Sequence, residues 1–367
     1  MTAGREKRIA IIGLGLMGGS LGCAFVRNGL EVTGWDNDPE VIAEAYQVGA
    51  INILPLCFES AVAAADYIFI ATPVAIIPGI IRDCLPHAAP GTVFSDLGSI
   101  KEQIMEAVFA FLPPEYYFVP GHPMTGSEKH GISAIDPFLF ENAAYIVIRD
   151  SRTPEQINAG VVELIKCTGA HIIDLAAAEH DRIVGMVSHL PHLIAVVLAD
   201  TAGRAEEAHP GTLALAAGGF RDTTRVATGS PGLWEEIIRG NRTKVLESID
   251  AFEQQLQTLR QIVAADDRMA LLQFLERARE VRLQIPAKNK GFLSLLYEMV
   301  VTIEDRPGTI EAVLRYLSQA EINIKDIEIL RIREGEGGTL RLAFENDTAV
   351  DKAVALLESQ GFKAWRR

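Results

Sequence analysis

The segment Gly121-His122-Pro123-Met124-Thr125-Gly126-Ser127-Glu128 carries an imidazole and a carboxylate on a stretch with neither helical nor strand periodicity. Histidine takes or gives a proton near neutral pH. Pro123 fixes its own φ, and the two glycines open backbone geometries closed to other residues, so a loop here can hold His122 and Glu128 beside a ligand. The alternative is a capped turn with a surface histidine.

Further along, Gly218-Gly219-Phe220-Arg221-Asp222-Thr223-Thr224-Arg225 sets two guanidinium groups four residues apart. Arginine grips a carboxylate in a two-pronged contact, the usual way to fix an organic acid, although taken alone the run reads first as a helix-surface pair with Asp222. In Met186-Val187-Ser188-His189-Leu190-Pro191-His192-Leu193, His189 and His192 share a helical face beside apolar neighbours. They read as substrate contacts or as hydrogen-bonded core histidines. A zinc site would need further ligands in a clear pattern, and none is evident. Pro191 is expected to kink that helix. Trp234, after the turn Ser230-Pro231-Gly232, walls an aromatic-sized pocket or belongs to a core.

The elements that must position these groups begin with an apolar strand, Arg8 to Ile12, running into Gly13, Gly15, Gly18 and Gly19. In a strand–glycine–helix unit the first glycine allows the tight turn, the second lets backbone approach a pyrophosphate, and the third packs helix on strand. The amides at the helix start, at Leu16 and Met17, then face the phosphates. A second strand, Glu31 to Trp35, ends in Asp36, whose carboxylate suits ribose hydroxyls and repels a 2′-phosphate, which favours NAD over NADP. The alternation continues through strands at 66–71, 92–95, 144–148 and 171–174, with helices after Val74 and from Ile100, and predicts a Rossmann-like, doubly wound parallel sheet. Ligands sit beyond the carboxyl ends of such strands, where Thr72, Pro73, Asp96 and Ser99 fall and can face the nicotinamide and substrate. Ser99 also reads as a helix N-cap completed by Glu102.

From Ala176 to about Leu283 the strand signal gives way to apolar residues at three- and four-residue spacing, a helical domain. After a Pro-Ala-Lys-Asn-Lys-Gly linker near 286–291 the order strand, helix, strand, strand, helix, strand predicts a ferredoxin-like βαββαβ module, with a turn at Glu334 to Gly338 and a second strand from Ile322 to Ile332. Asp305-Arg306-Pro307-Gly308 forms a turn before its first helix, either purely structural or receiving a small anion on backbone amides. The division is therefore 1–174 nucleotide-binding, 175–288 helical and 296–367 C-terminal.

Composition narrows the partners. The 367 residues are 49% hydrophobic with a formal charge of −14, which argues against nucleic acid or an anionic membrane. The first eight residues are polar and basic and precede an apolar run of only about five residues, so neither a signal core nor a spanning segment is expected there, and the reading is cytoplasmic. Cys23, Cys57, Cys84 and Cys167 are scattered, as reduced thiols are, and no metal site is expected.

Taken together, the glycine turn with Asp36, the Asp96 to Lys101 segment, the Gly121 to Glu128 loop, the Ser188 to His192 helix and the Gly218 to Arg225 run resemble the TyrA family of prephenate and arogenate dehydrogenases. Asp305-Arg306-Pro307-Gly308 with Ile322-Asn323-Ile324 is similar to an ACT domain, which senses amino acids. The resemblance implies an NAD-dependent oxidative decarboxylation: hydride leaves the carbon bearing the 4-hydroxyl, carbon dioxide leaves the opposite carbon, and the ring becomes aromatic. It implies that His122 accepts the hydroxyl proton while Ser99 holds the same oxygen, and that Arg225, with Arg221 as neighbour, grips a substrate carboxylate. It implies that Ser188, His189, His192, Ser127, Glu128 and Trp234 shape the pocket. It further implies tyrosine as effector at Asp305, Pro307, Gly308, Asn323 and Ile324, and a homodimer formed through the helical domain. Nothing in the sequence distinguishes prephenate from arogenate. A β-hydroxyacid dehydrogenase is disfavoured because such enzymes use a lysine on the helical domain, where this chain offers histidines and arginines. A non-catalytic sensor would not need both a base and a carboxylate anchor.

Overall fold

A computed structural model describes residues 7–126, 131–285, 297–304, 306–333 and 337–366. Ser127, Glu128 and Asp305, and most of the turn expected at 334–338, lie outside the described residues. The chain divides into two compact units, Met1–Gly291 and Phe292–Arg367.

The first unit is built on five parallel strands, β1 (Arg8–Ile12), β2 (Glu31–Trp35), β3 (Tyr67–Ile70), β4 (Val93–Asp96) and β5 (Tyr117–Phe118), in the order β2-β1-β3-β4-β5. Side chains alternate across a strand, so Ile9 and Ile11 enter one core with Phe25 and Phe69, while Ala10 and Ile12 enter the other with Ile68, Ile70 and Phe94. Burial on both faces is why these strands read as unbroken apolar runs. The chain steps from β1 outward to β2 and then back across to β3, which opens a crevice at the carboxyl ends of β1 and β3.

The parallel alternation does not continue into one sheet. β6 (Gly121–Pro123), β7 (Ala144–Ile148) and β8 (His171–Leu175) form a separate three-stranded sheet, in which β6 runs antiparallel to β7 and β7 parallel to β8. Only Val119 and Pro120 separate β5 from β6, too few for the crossover a parallel neighbour requires. His122 is therefore on a strand, paired with Ile146, and not in the irregular loop that its flanking proline and glycines suggest. Three residues are too few to show a period of two, and Pro123 is tolerated because β6 is an edge.

The helical part runs through Ala177–Val184, Leu190–Ala208, Gly218–Thr224, Pro231–Gly240, Arg242–Ala264 and Arg268–Gln284. Between the first two lies a π-helical turn, Gly185–His189, in which the Leu190 N–H donates to the Gly185 carbonyl. Pro191 has no N–H for the Val187 carbonyl one turn back, and the widened turn accommodates that loss. Together the 32 residues Ala177–Ala208 are long and apolar enough to cross a membrane by composition alone. Their buried positions include His180, Val184, His189, Leu190 and Ala195, while Val187 and Val197 are exposed. Leu256, Val263, Leu272 and Leu275 on the two long helices that follow are exposed as well.

In the second unit, β9 (Tyr297–Ile303), β10 (Asp326–Arg333), β11 (Gly337–Phe344) and β12 (Lys363–Arg366) make an antiparallel sheet in the order β10-β11-β9-β12. Helices Thr309–Gln319 and Asp347–Ser359 pack on one face over Met299, Val301, Leu340 and Leu342. β10 starts later than the sequence suggests: Ile322 and Ile324 alternate like a strand, but pairing begins where the Lys325 N–H donates to Ala343. Gly308 sits at φ +88° and caps the helix from Thr309, a conformation that favours glycine. Pro307 and Asn323 are exposed, and Ile324 packs against the core. Arg341 is buried on β11 and held by the carboxylates of Glu298, Asp326 and Glu328.

Candidate active site

Gly13 turns at φ +93°, its N–H donating to the Trp35 carbonyl at 2.8 Å, and a Cβ there would lie 2.7 Å from the Ala71 carbonyl. Gly18 has no room for a side chain against the Gly13 carbonyl. At Gly15, by contrast, a Cβ would meet no atom of the described residues within 4 Å. The helix Leu16–Arg27 starts there without a side-chain cap, and its first backbone bond runs from the Gly19 N–H to the Gly15 carbonyl at 2.8 Å, so the amides of Leu16, Met17 and Gly18 precede the helical ladder among the described residues and can receive an anion. Asp36 at the end of β2 accepts the Leu14 N–H at 2.9 Å and the Asp38 N–H at 3.2 Å, which ties the glycine turn to β2 and leaves carboxylate lone pairs for hydroxyl donors. Thr72, after β3, has a buried hydroxyl with no partner among the described residues, and Pro73 beside it is exposed. A dinucleotide fits these residues: anion-ready amides, an open position at Gly15 and a carboxylate one strand away.

Asp96 does not face the crevice. Its carboxylate is fully buried, accepts the Gly98 N–H at 2.9 Å and pairs with Lys101 Nζ, which is fully buried too. Burial raises the Asp96 carboxyl and lowers the Lys101 ammonium from their ordinary values, and the contact between them opposes both shifts. Lys101 Nζ also donates to the Gly121 carbonyl at 2.7 Å, so the turn after β4 fixes the residue before His122. Nor does Ser99 cap the following helix with Glu102. That helix, Glu102–Phe109, has no cap from its own segment; Asp181, far along the chain, accepts the Lys101 N–H at 2.8 Å and the Glu102 N–H at 2.9 Å. Ser99 is half-buried in the turn between Gly98 and Lys101.

His122 Nδ1 lies 2.8 Å from Nε2 of the buried His180, whose Nδ1 lies 2.7 Å from Asp181 Oδ1. Burial above all holds the His122 imidazole well below its ordinary value, so at neutral pH the ring is uncharged and has a lone pair free to accept a proton. Asn241 links this group to the next: its amide donates to the Asp181 carbonyl at 2.7 Å and lies 3.2 Å from His189 Nδ1. His192 stacks on Trp234 at 3.6 Å between ring centroids and 10° between planes, and His189 meets the same indole edge-on at 6.2 Å. Burial lowers His189 to about 4 and lowers His192. The two histidines three apart therefore belong to one buried cluster around an aromatic wall. Ser188 is half-buried in the π turn. Arg221 is near the end of the helix Gly218–Thr224 and Arg225 opens the 3₁₀ turn Arg225–Thr228, both exposed, with the Val226 backbone against His192.

His180, Asp181 and Asn241 escape a reading of the sequence. Neighbours in a helix do not face each other, so His180-Asp181 shows no pairing pattern. His180 and Asp181 lie in the charged run Glu179-His180-Asp181-Arg182, whose ordinary reading is a solvated helix face.

Residues 21–174 match the model for the nucleotide-binding domain of prephenate dehydrogenase, and residues 176–277 match the model for its dimerisation domain. The prephenate dehydrogenase of Bacillus subtilis (strain 168) is 33% identical across 97% of this chain and 96% of its own. The Aquifex aeolicus prephenate dehydrogenase, solved with hydroxyphenyl propionate and NAD+, superposes with a TM-score of 0.72 at 26% identity, covering 78% of this chain and all of that one. The Synechocystis arogenate dehydrogenase gives 0.68 at 26% identity over 76% of this chain and 99% of its own. The chain belongs to the prephenate dehydrogenase family.

Proposed function

We propose that this chain is an NAD-dependent prephenate dehydrogenase that converts prephenate to 4-hydroxyphenylpyruvate with loss of carbon dioxide. The observation that carries the reading is the neutral, buried-side imidazole of His122, fixed on a strand edge of the nucleotide-binding unit in a chain of this family. NAD, when bound, supplies the hydride acceptor. The amides after Gly13 and Gly15 bind its pyrophosphate, at Leu16, Met17 and Gly18, and Asp36 takes ribose hydroxyls, while Thr72 and Pro73 border the nicotinamide end. His122 takes the proton of the substrate 4-hydroxyl at its outer nitrogen, and Ser99 holds that oxygen. Arg225, with Arg221 beside it, holds a carboxylate. Ser188, His189, His192 and Trp234 wall the ring, with Ser127 and Glu128 contributed from the segment after β6. Aromatisation makes the step strongly downhill, so orientation and a base suffice.

The same reading assigns 1–174 to nucleotide binding, 175–288 to substrate binding and dimerisation and 296–367 to an ACT-type regulatory module binding tyrosine around Asp305, Pro307, Gly308, Asn323 and Ile324. The apolar faces bearing Val187, Val197, Leu256 and Val263 are covered by a second copy of the chain in a cytoplasmic homodimer. The test is NADH formation with prephenate and, separately, with arogenate, each with and without tyrosine. Prephenate turnover suppressed by tyrosine supports enzyme and regulator together. Turnover with arogenate alone transfers the assignment to that substrate, and turnover indifferent to tyrosine removes the effector.

A further inference from the structure

We infer that His180 and Asp181 are positioning residues that set the tautomer of His122, leaving its outer nitrogen, Nε2, unprotonated and able to accept the substrate proton. The inference rests on His122 being the base of the proposed reaction, but its first consequence is a property of the protein without substrate.

The argument follows the donors and acceptors inward to outward. Both oxygens of Asp181 already accept backbone amides, Oδ1 from Lys101 at 2.8 Å and Oδ2 from Glu102 at 2.9 Å, and amides only donate. They sit at the N-terminus of the helix Glu102–Phe109, which favours a negative charge. Toward His180 the carboxylate is therefore an acceptor, so His180 Nδ1, 2.7 Å from Oδ1, carries the hydrogen. The premise is an uncharged His180 ring, in which the other nitrogen is then a lone pair. That nitrogen, His180 Nε2, faces His122 Nδ1 at 2.8 Å, so the hydrogen between the rings belongs to His122 Nδ1. The lone pair of His122 is left on Nε2. The rings meet at 74°, an edge-on arrangement suited to a hydrogen bond and not to stacking.

The arrangement is rigid where it must be. His180 is fully buried and Asp181 almost so, and the Asp181 backbone carbonyl is fastened by Asn241 at 2.7 Å. When His122 takes a proton on Nε2, the developing positive charge is met by His180 Nε2, itself polarised by Asp181. No bond to His180 or Asp181 is made or broken. Without the Asp181 acceptor His180 is free to turn its hydrogen toward His122, which then carries one on Nε2, where it blocks the base.

The test joins a spectroscopic readout to kinetics on the full-length protein. In 15N-histidine NMR of the substrate-free enzyme, His122, assigned by the loss of its signals in His122→Asn, is expected to be protonated at Nδ1 and bare at Nε2. Asp181→Ala, which removes the acceptor that fixes His180, is expected to abolish that preference and leave both His122 tautomers populated. His180→Leu is expected to lower kcat on the order of ten- to a hundredfold, as for partners that orient histidine rings elsewhere, with KM for prephenate and affinity for NAD unmoved. His180→Gln, which keeps an acceptor, is expected to recover most of that loss. A hydrogen on His122 Nε2 in the wild type overturns the inference, as does a His180→Leu enzyme within twofold of wild type or a glutamine variant as slow as the leucine one. Should the wild type prove inactive on prephenate, the NMR pattern still decides the tautomer, so the two failures are separable. Should Asp181→Ala fail to fold, the two His180 variants decide alone.

Discussion

Lys101 Nζ donates to the Gly121 carbonyl at 2.7 Å while paired, fully buried, with the Asp96 carboxylate. One ammonium group thus joins the end of β4 to the strand that carries His122. Charges are buried only when paired, and removing one partner strands the other. Lys101→Met is expected to cost about 3–5 kcal/mol of stability, read from urea denaturation. It should also slow turnover about tenfold or more through misplacement of His122. The double variant Asp96→Asn/Lys101→Met should recover much of the stability but not the rate. A single variant as stable as wild type would show that the pair does not hold the strand.

Arg225→Ala is expected to raise KM for the substrate with little change in kcat, since a charge-assisted carboxylate contact is worth about 1.5–3 kcal/mol, roughly 10- to 150-fold in KM. Arg221→Ala should do the same to a smaller degree. Steady-state kinetics on both variants decides which guanidinium is the main anchor, and an unchanged KM in both would place it elsewhere.

Stability should fall on mild acidification. His189 is lowered to about 4 and His122 well below its ordinary value, both mainly by burial. Between those folded-state values and the ordinary value near 6.5 the unfolded chain binds protons that the native one does not. Stability is then fully present above about 6.5 and is lost as the pH falls toward 4. Urea midpoints at neutral pH and at about pH 4.5 check this, and equal midpoints would contradict burial of neutral histidines. Activity should tolerate the upper part of the same window, because His122 stays unprotonated there.

The nucleotide-binding half was largely legible. Strands at Arg8–Ile12, Glu31–Trp35 and Ala144–Ile148 announce themselves because burial on both faces demands unbroken apolar runs, and the glycine turn because Gly13 and Gly18 have no room for side chains. The short β6 was not, since three residues carry no period. Asp181 was hidden for a different reason: it caps a helix that begins some 80 residues earlier, and such a cap leaves no local mark, whereas the nearby Ser99 and Glu102 mimic one. Arg341 illustrates the same limit, because an arginine on a strand reads as solvent-facing until Glu298, Asp326 and Glu328 are brought around it by pairing.

The most direct measurement is NAD affinity and prephenate turnover in His122→Asn. Asparagine keeps a polar side chain of similar reach but accepts no proton. The expected result is wild-type affinity for NAD with kcat reduced about 10²- to 10⁴-fold, the contribution of a positioned base. Turnover within a few-fold of wild type would contradict the account at its centre, because the proton would then leave by a route that does not include His122.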